Sequence, residues 1–133
     1  MVLMASLSSF SHALTLNGLL INVVQVTGVL RCSLNGNLNA PPLSRVTVHL
    51  ACDGTDIAQT VTDQAGAVAI TNTLPSGNNF DLQRCLVRVY LPVASCSVFP
   101  LNGVLTAPLS LVHVIPSTLG NVACLTIGFV RLG

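Results

Sequence analysis

The chain has 133 residues, and charged side chains make up 7% of it, against a usual share of about 25%. The five cations are Arg31, Arg45, Arg84, Arg88 and Arg131, and the four anions are Asp53, Asp56, Asp63 and Asp81; Lys and Glu are absent. With 51% hydrophobic residues this is no disordered chain. A net charge of +1 gives no basic face for nucleic acid, and helices built on Glu–Lys pairs are excluded by composition.

Residues 1–13, MVLMASLSSFSHA, are mostly apolar and small and end Ser11-His12-Ala13. They read as a shortened secretory signal cleaved near Ala13, since signal peptidase accepts small residues at −3 and −1. An ordinary unstructured start is the alternative, because no Lys or Arg precedes the apolar part. Residues 14–133 form one domain. The longest apolar stretch, Ala13 to Leu30, is interrupted by Thr15, Asn17, Asn22, Gln25 and Thr27. A spanning helix needs about 20 predominantly apolar residues, so no transmembrane span is expected.

Along the chain the pattern is that of strands. From Val23 to Leu34, Val26, Gly28, Leu30, Cys32 and Leu34 share one face; Gln25, Thr27, Arg31 and Ser33 share the other. Asn35-Gly36-Asn37 and Pro41-Pro42 then break the chain. From Arg45 to Cys52, Val46, Val48, Leu50 and Cys52 alternate with Thr47, His49 and Ala51. Asp53-Gly54 is a turn. Ile57–Thr62 and Ala67–Thr71 read as a hairpin closed by Asp63-Gln64-Ala65-Gly66, with the Asp63 carboxylate accepting from backbone N–H groups ahead of it. Leu74 to Asp81 is a loop. Cys85, Val87, Val89 and Leu91 alternate with Leu86, Arg88 and Tyr90. Pro92, Pro100, Pro108 and Pro116 divide the C-terminal third into short pieces, with any helix confined to a turn or two within 93–110. The last strand is expected over Val122–Arg131. About seven short strands with regular turns predict an all-β protein, an antiparallel sandwich or barrel.

None of the five cysteines makes a C-x-x-C pair, so zinc-ribbon and thioredoxin readings have no support. Spacing alone permits fifteen two-bridge arrangements. Strand parity favours Cys52 with Cys85, meeting across two sheets, and Cys32 with Cys96 on a loop, leaving Cys124 unpaired. Five buried thiols in a reducing compartment are the alternative. No N-x-S/T sequon occurs.

Candidate chemical groups are few. His49 and Cys52 form H-x-x-C, but an odd separation in a strand sends the two side chains to opposite faces. His113 lies in an apolar stretch, and Asp53, Asp63 and Asp81 are turn residues. No nucleophile elbow, zinc-protease motif or phosphate loop is present. The expectation is therefore no enzyme, no catalytic residue, no metal and no cofactor. A surface of Thr, Ser, Asn and Gln with few charges repels copies of itself weakly, which suits self-association or residence on an apolar or carbohydrate surface.

The run V-T-G-V-L-R-C-S-L-N-G-N (26–37), then Pro41-Pro42, V-T-V-H-L-A-C (46–52), T-V-T-D-Q-A-G-A-V (60–68), Cys85 and L-P-V-A-S-C (91–96) resembles the phylloplanin family. Phylloplanins are small secreted plant proteins of leaf surfaces, within the wider pollen olive-allergen-like (Ole e I-type) extracellular family. The resemblance runs from about Val24 to the end. It implies a seven-stranded Greek-key β-sandwich, the pairs Cys32–Cys96 and Cys52–Cys85, and defence against fungi or oomycetes. The chain departs from the family at Val68, where an aromatic is usual, in the extra Cys124, and in its short leader.

These readings give a secreted plant surface protein that inhibits spore germination by non-catalytic contact. Its partners would be a microbial surface or the plant cuticle and cell wall. The alternatives are a structural or signalling wall protein and a carrier of an apolar metabolite between the sheets.

Overall fold

A computed structural model describes residues 15–16, 19–74, 81–118 and 120–133. The expected signal at 1–13 lies outside these residues, as does most of the predicted loop at Leu74 to Asp81. The described chain is all-β: β1 (Thr15–Leu16), β2 (Leu19–Val29), β3 (Thr47–Cys52), β4 (Thr55–Val61), β5 (Ala67–Thr73), β6 (Cys85–Tyr90), β7 (Val104–Ser117), β8 (Gly120–Ile127) and β9 (Arg131–Leu132). One face of the fold is the sheet β5-β2-β8-β7, and the other is β7-β6-β3-β4. Strand β7 belongs to both. Its first half pairs with β6 and β9, and its second half pairs with β8. The result is a nearly closed, barrel-like sheet.

The core arises from period-2 burial. Val24 and Val26, Val48 and Leu50, Val87 and Val89, Leu105 and Ala107, and Ala123 and Leu125 alternate inward from their strands and are almost fully buried. Each such Val or Leu contributes roughly 1.5–3 kcal/mol on leaving water. No helix of the described residues is long and apolar enough to cross a membrane.

Several expectations are corrected. The predicted 57–71 hairpin does not form: β4 pairs with β3, and β5 pairs with β2. The turn between them is built as expected, with Asp63 Oδ1 accepting from the N–H groups of Ala65 (2.8 Å) and Ala67 (2.9 Å). Its role differs, because it carries the chain from one sheet to the other. Gly66 has φ 74°, and a Cβ there would stand 2.8 Å from the Leu30 carbonyl oxygen.

The prolines of the C-terminal third do not divide it into short pieces, and no helix lies in 93–110. Residues 104–117 are one strand that passes through Pro108 at the point where β7 changes partners. The described helical content is a 3-10 turn, Leu82–Arg84. The expected last strand is interrupted: β8 ends at Ile127, Gly128 N–H donates to the Pro108 carbonyl, and β9 comes next. The antiparallel expectation meets one exception, since β2 and β8 run parallel.

Two side chains lie on the face opposite to the expected one. Ser33, expected outside, is buried, and its hydroxyl accepts from the N–H groups of Asn35 and Asn37 to shape the turn after β2. Ala51, expected outside, is buried because the β3–β4 register shifts between Leu50 and Ala51. Cys52 and Cys85 are directly opposed on the neighbouring strands β3 and β6, so their bridge lies within one sheet and does not cross between sheets.

Candidate functional site

The charged side chains sort unequally between the two sheets. The strands β5, β2, β8 and the second half of β7 contain no Asp or Arg. Asp56, Arg88 and Arg131 lie on β4, β6 and β9, all on the opposite side of the fold. Three of the four Asp residues serve turns. Asp53 (φ 53°) precedes Gly54 and faces Arg84 Nη1 at 3.4 Å. Asp63 holds the turn between β4 and β5, and Asp81 Oδ1 accepts from Gln83 N–H at 3.0 Å to cap the 3-10 turn.

Asp56 is different. It lies inside β4 beside the register shift, where Leu50 opposes Ala58 and Ala51 opposes Asp56, leaving Ile57 as the extra residue. A bulge of this kind re-aims a side chain. The Asp56 carboxylate meets groups from two other strands. His49 Nδ1 of β3 is 3.5 Å from Oδ2, Arg88 Nε of β6 is 3.6 Å from Oδ1, and the Tyr90 hydroxyl of β6 donates to Oδ2. The His49 ring stands edge-on to Tyr90, with centroids 4.8 Å apart and an interplanar angle of 67°. The bond to Asp56 raises the Tyr90 phenol above its ordinary value; partial desolvation and the Asp56 charge add to this, and Arg88 opposes it. The phenol is thereby kept as a protonated donor.

Beside this cluster runs a surface groove of about 420 Å³, lined by Arg45, Thr47, His49, Tyr90, Pro92 and Ser95 among others. Its walls have separate supports. The loop after β6 carries Cys96, bonded to Cys32 (S–S 2.02 Å, Cα–Cα 5.5 Å), and Cys96 N–H donates to the Val93 carbonyl. The other wall is the segment entering β3, where Arg45 has φ 58°, a left-handed conformation unusual for a residue with a side chain. Thr62 holds it there. The buried Thr62 hydroxyl donates to the Leu43 carbonyl (2.7 Å) and accepts from Val46 N–H (2.9 Å), while Arg45 N–H donates to the Thr62 carbonyl. Strain held by surrounding bonds in this way gathers at functional positions. Among the described residues the exposed Arg45 guanidinium faces no carboxylate.

Of the residues weighed from sequence, His12 lies outside the described residues. His113 is exposed on the uncharged sheet, opposite Cys124 in register. Cys124 is a free, half-buried thiol with Sγ 3.7 Å from Gln25 Oε1. His49 is half-buried and its partner is Asp56. The described residues hold no group of three His, Cys, Asp or Glu suited to a metal ion. Sequence reasoning missed Asp56, Arg45 and Thr62. The one signal in the chain was that Asp56 has no turn to serve.

A second groove, about 250 Å³, lies between the end of β2 and residues 126–130, with exposed Leu38 and Phe129 on its rim. Its single guanidinium, Arg31, already donates to the Ala40 carbonyl at 3.0 Å.

No curated protein and no solved structure matches the chain. Residues 20–132 match the phylloplanin family, described as "Phylloplanin antifungal protein". With that match spanning nearly all the described residues, the chain belongs to the phylloplanin family, a non-enzymatic, defence-type family of plant-surface antifungal proteins.

Proposed function

We propose that this chain is a secreted protein of the leaf surface or apoplast that inhibits germination of fungal or oomycete spores by contact, without catalysis. The observation that carries this reading is the family match over residues 20–132. Two bridges, Cys32–Cys96 and Cys52–Cys85, fit an oxidising compartment. The space between the two sheets is filled by Leu30, Leu50, Leu105 and Leu125, which favours action at the surface over carriage of an internal cargo.

The test is direct application of the bridged protein to germinating spores, beside a reduced and alkylated control. Germination is expected to fall with the bridged protein and not with the control. Equal activity in both would remove the folded domain as the agent.

A further inference from the structure

We infer that the groove between Arg45 and Tyr90 is a binding site for an acidic saccharide, a sugar ring that carries a carboxylate. Four observations converge on this class of ligand. The exposed Tyr90 ring beside the groove offers an aromatic face, and the pyranose rings of sugars pack on such faces by their C–H surfaces. The ring is fixed in place at its hydroxyl by Asp56 and at its edge by His49, so stacking on it costs little further ordering. Thr47, His49 and Ser95 add hydrogen-bonding groups suited to sugar hydroxyls. Finally, Arg45 is the one guanidinium lining this groove and meets no carboxylate among the described residues. A planar fork of N–H donors recognises a carboxylate in two-point fashion.

The contrast with Arg84 and Arg88 sharpens the assignment, because each of those already faces an Asp. The left-handed backbone at Arg45, held by Thr62, presents the unpaired cation at the groove mouth. A neutral saccharide would leave that cation unused, and a simple anion would leave the aromatic face unused.

This inference deepens the contact reading and rests on it only for its biological setting. Calorimetric titration of the full, disulfide-bonded chain tests it. The probes are oligogalacturonate, a glucuronate-bearing oligosaccharide and a neutral cello-oligosaccharide of equal length. Either acidic probe is expected to bind roughly tenfold or more tighter than the neutral one, in line with a charge-assisted pair, and to weaken as salt is raised. Which acidic probe binds better separates a plant-wall source from a microbial one.

Arg45→Gly is the decisive variant. Glycine accepts the backbone angle at this position, so the melting temperature is expected to hold or rise while acidic-probe binding falls by about tenfold or more. Arg45→Lys should recover part of the loss. Undiminished binding by Arg45→Gly, no preference for the acidic probes, or no binding of either acidic probe at millimolar concentration would overturn the assignment. A failed spore assay would overturn the contact reading and leave these titrations to decide the site.

Discussion

The two sheets enclose one core yet differ outside. The face formed by β5, β2, β8 and the second half of β7 has no Asp or Arg, and it shows Thr27, Thr71, Gln25, Val112 and Ile115 to solvent. The face formed by β4, β3 and β6 holds Asp56, Arg88, His49 and Tyr90 in mutual contact, with Arg45 at its edge. An average of 7% charge therefore conceals a segregation. One side is left bare, and the few ionic groups are gathered where they can fix the position of an aromatic ring. In a chain this poor in charge, the location of each charged residue is informative in a way it is not for an ordinary surface.

The largest effect should come from the bridge that joins the two regions. Cys32, just beyond β2, and Cys96, in the groove wall, are 64 residues apart. Replacing both with Ala is expected to cost about 4 kcal/mol in the loop-entropy account, read by denaturant unfolding. The bridge Cys52–Cys85 closes a shorter separation of 33 within one sheet and should cost somewhat less. A reversed order would show that strain or residual structure outweighs loop length.

Next in size is Thr62→Val. It removes two hydrogen bonds and leaves Val46 N–H without its partner, for an expected loss of about 2 kcal/mol by thermal or chemical unfolding. Because Thr62 holds the Arg45 backbone, the groove should lose its shape as well.

A third test breaks the comparison from the bare side. Val112→Lys adds one charge to an exposed position on β7. Stability should change by no more than about 0.5 kcal/mol, while retention on a hydrophobic column should drop clearly. Asp56→Asn, which removes a charge from the other face, should not lower retention.

The smallest expected effect on stability, and the cleanest signal, is in Tyr90. It is the chain's only tyrosine, so its ionisation can be followed by phenolate absorbance alone. Asp56→Asn should bring the midpoint down towards the ordinary value, because Asp56 is the main cause of its elevation. A pKa raised on folding contributes stability that is present below the unfolded value. That contribution is lost as pH rises through the folded one, so the wild-type chain should weaken slightly more than Asp56→Asn in the alkaline range.

Local features were legible in the sequence. The alternation in β3 and β6 places Val48, Leu50, Val87 and Val89 inside, and the Asp63 turn can be read from its residues alone. What the turn joins cannot, because the pairing of β5 with β2 is settled by contacts distant in sequence. Pro108 reads as a break because proline disrupts a continuous ladder; here it falls at the residue where β7 exchanges β6 for β8. The candidate site was the least legible part, since its side chains come from β3, β4, β6 and two loops. A one-residue bulge beside Asp56 decides where that carboxylate points.

The parallel pairing of β2 with β8 has a consequence for how the molecule is made. Thr27 of β2 donates to the Leu125 carbonyl, 98 positions further along the chain. During synthesis β2 must wait, with one edge unoccupied, until almost all of the later chain has emerged. Contacts this remote slow folding, and an apolar strand left with a free edge is prone to pairing with neighbouring chains. The absence of charge that leaves the mature face bare thus also leaves the nascent strand without protection, and export and bridge formation have to outpace its association with other copies.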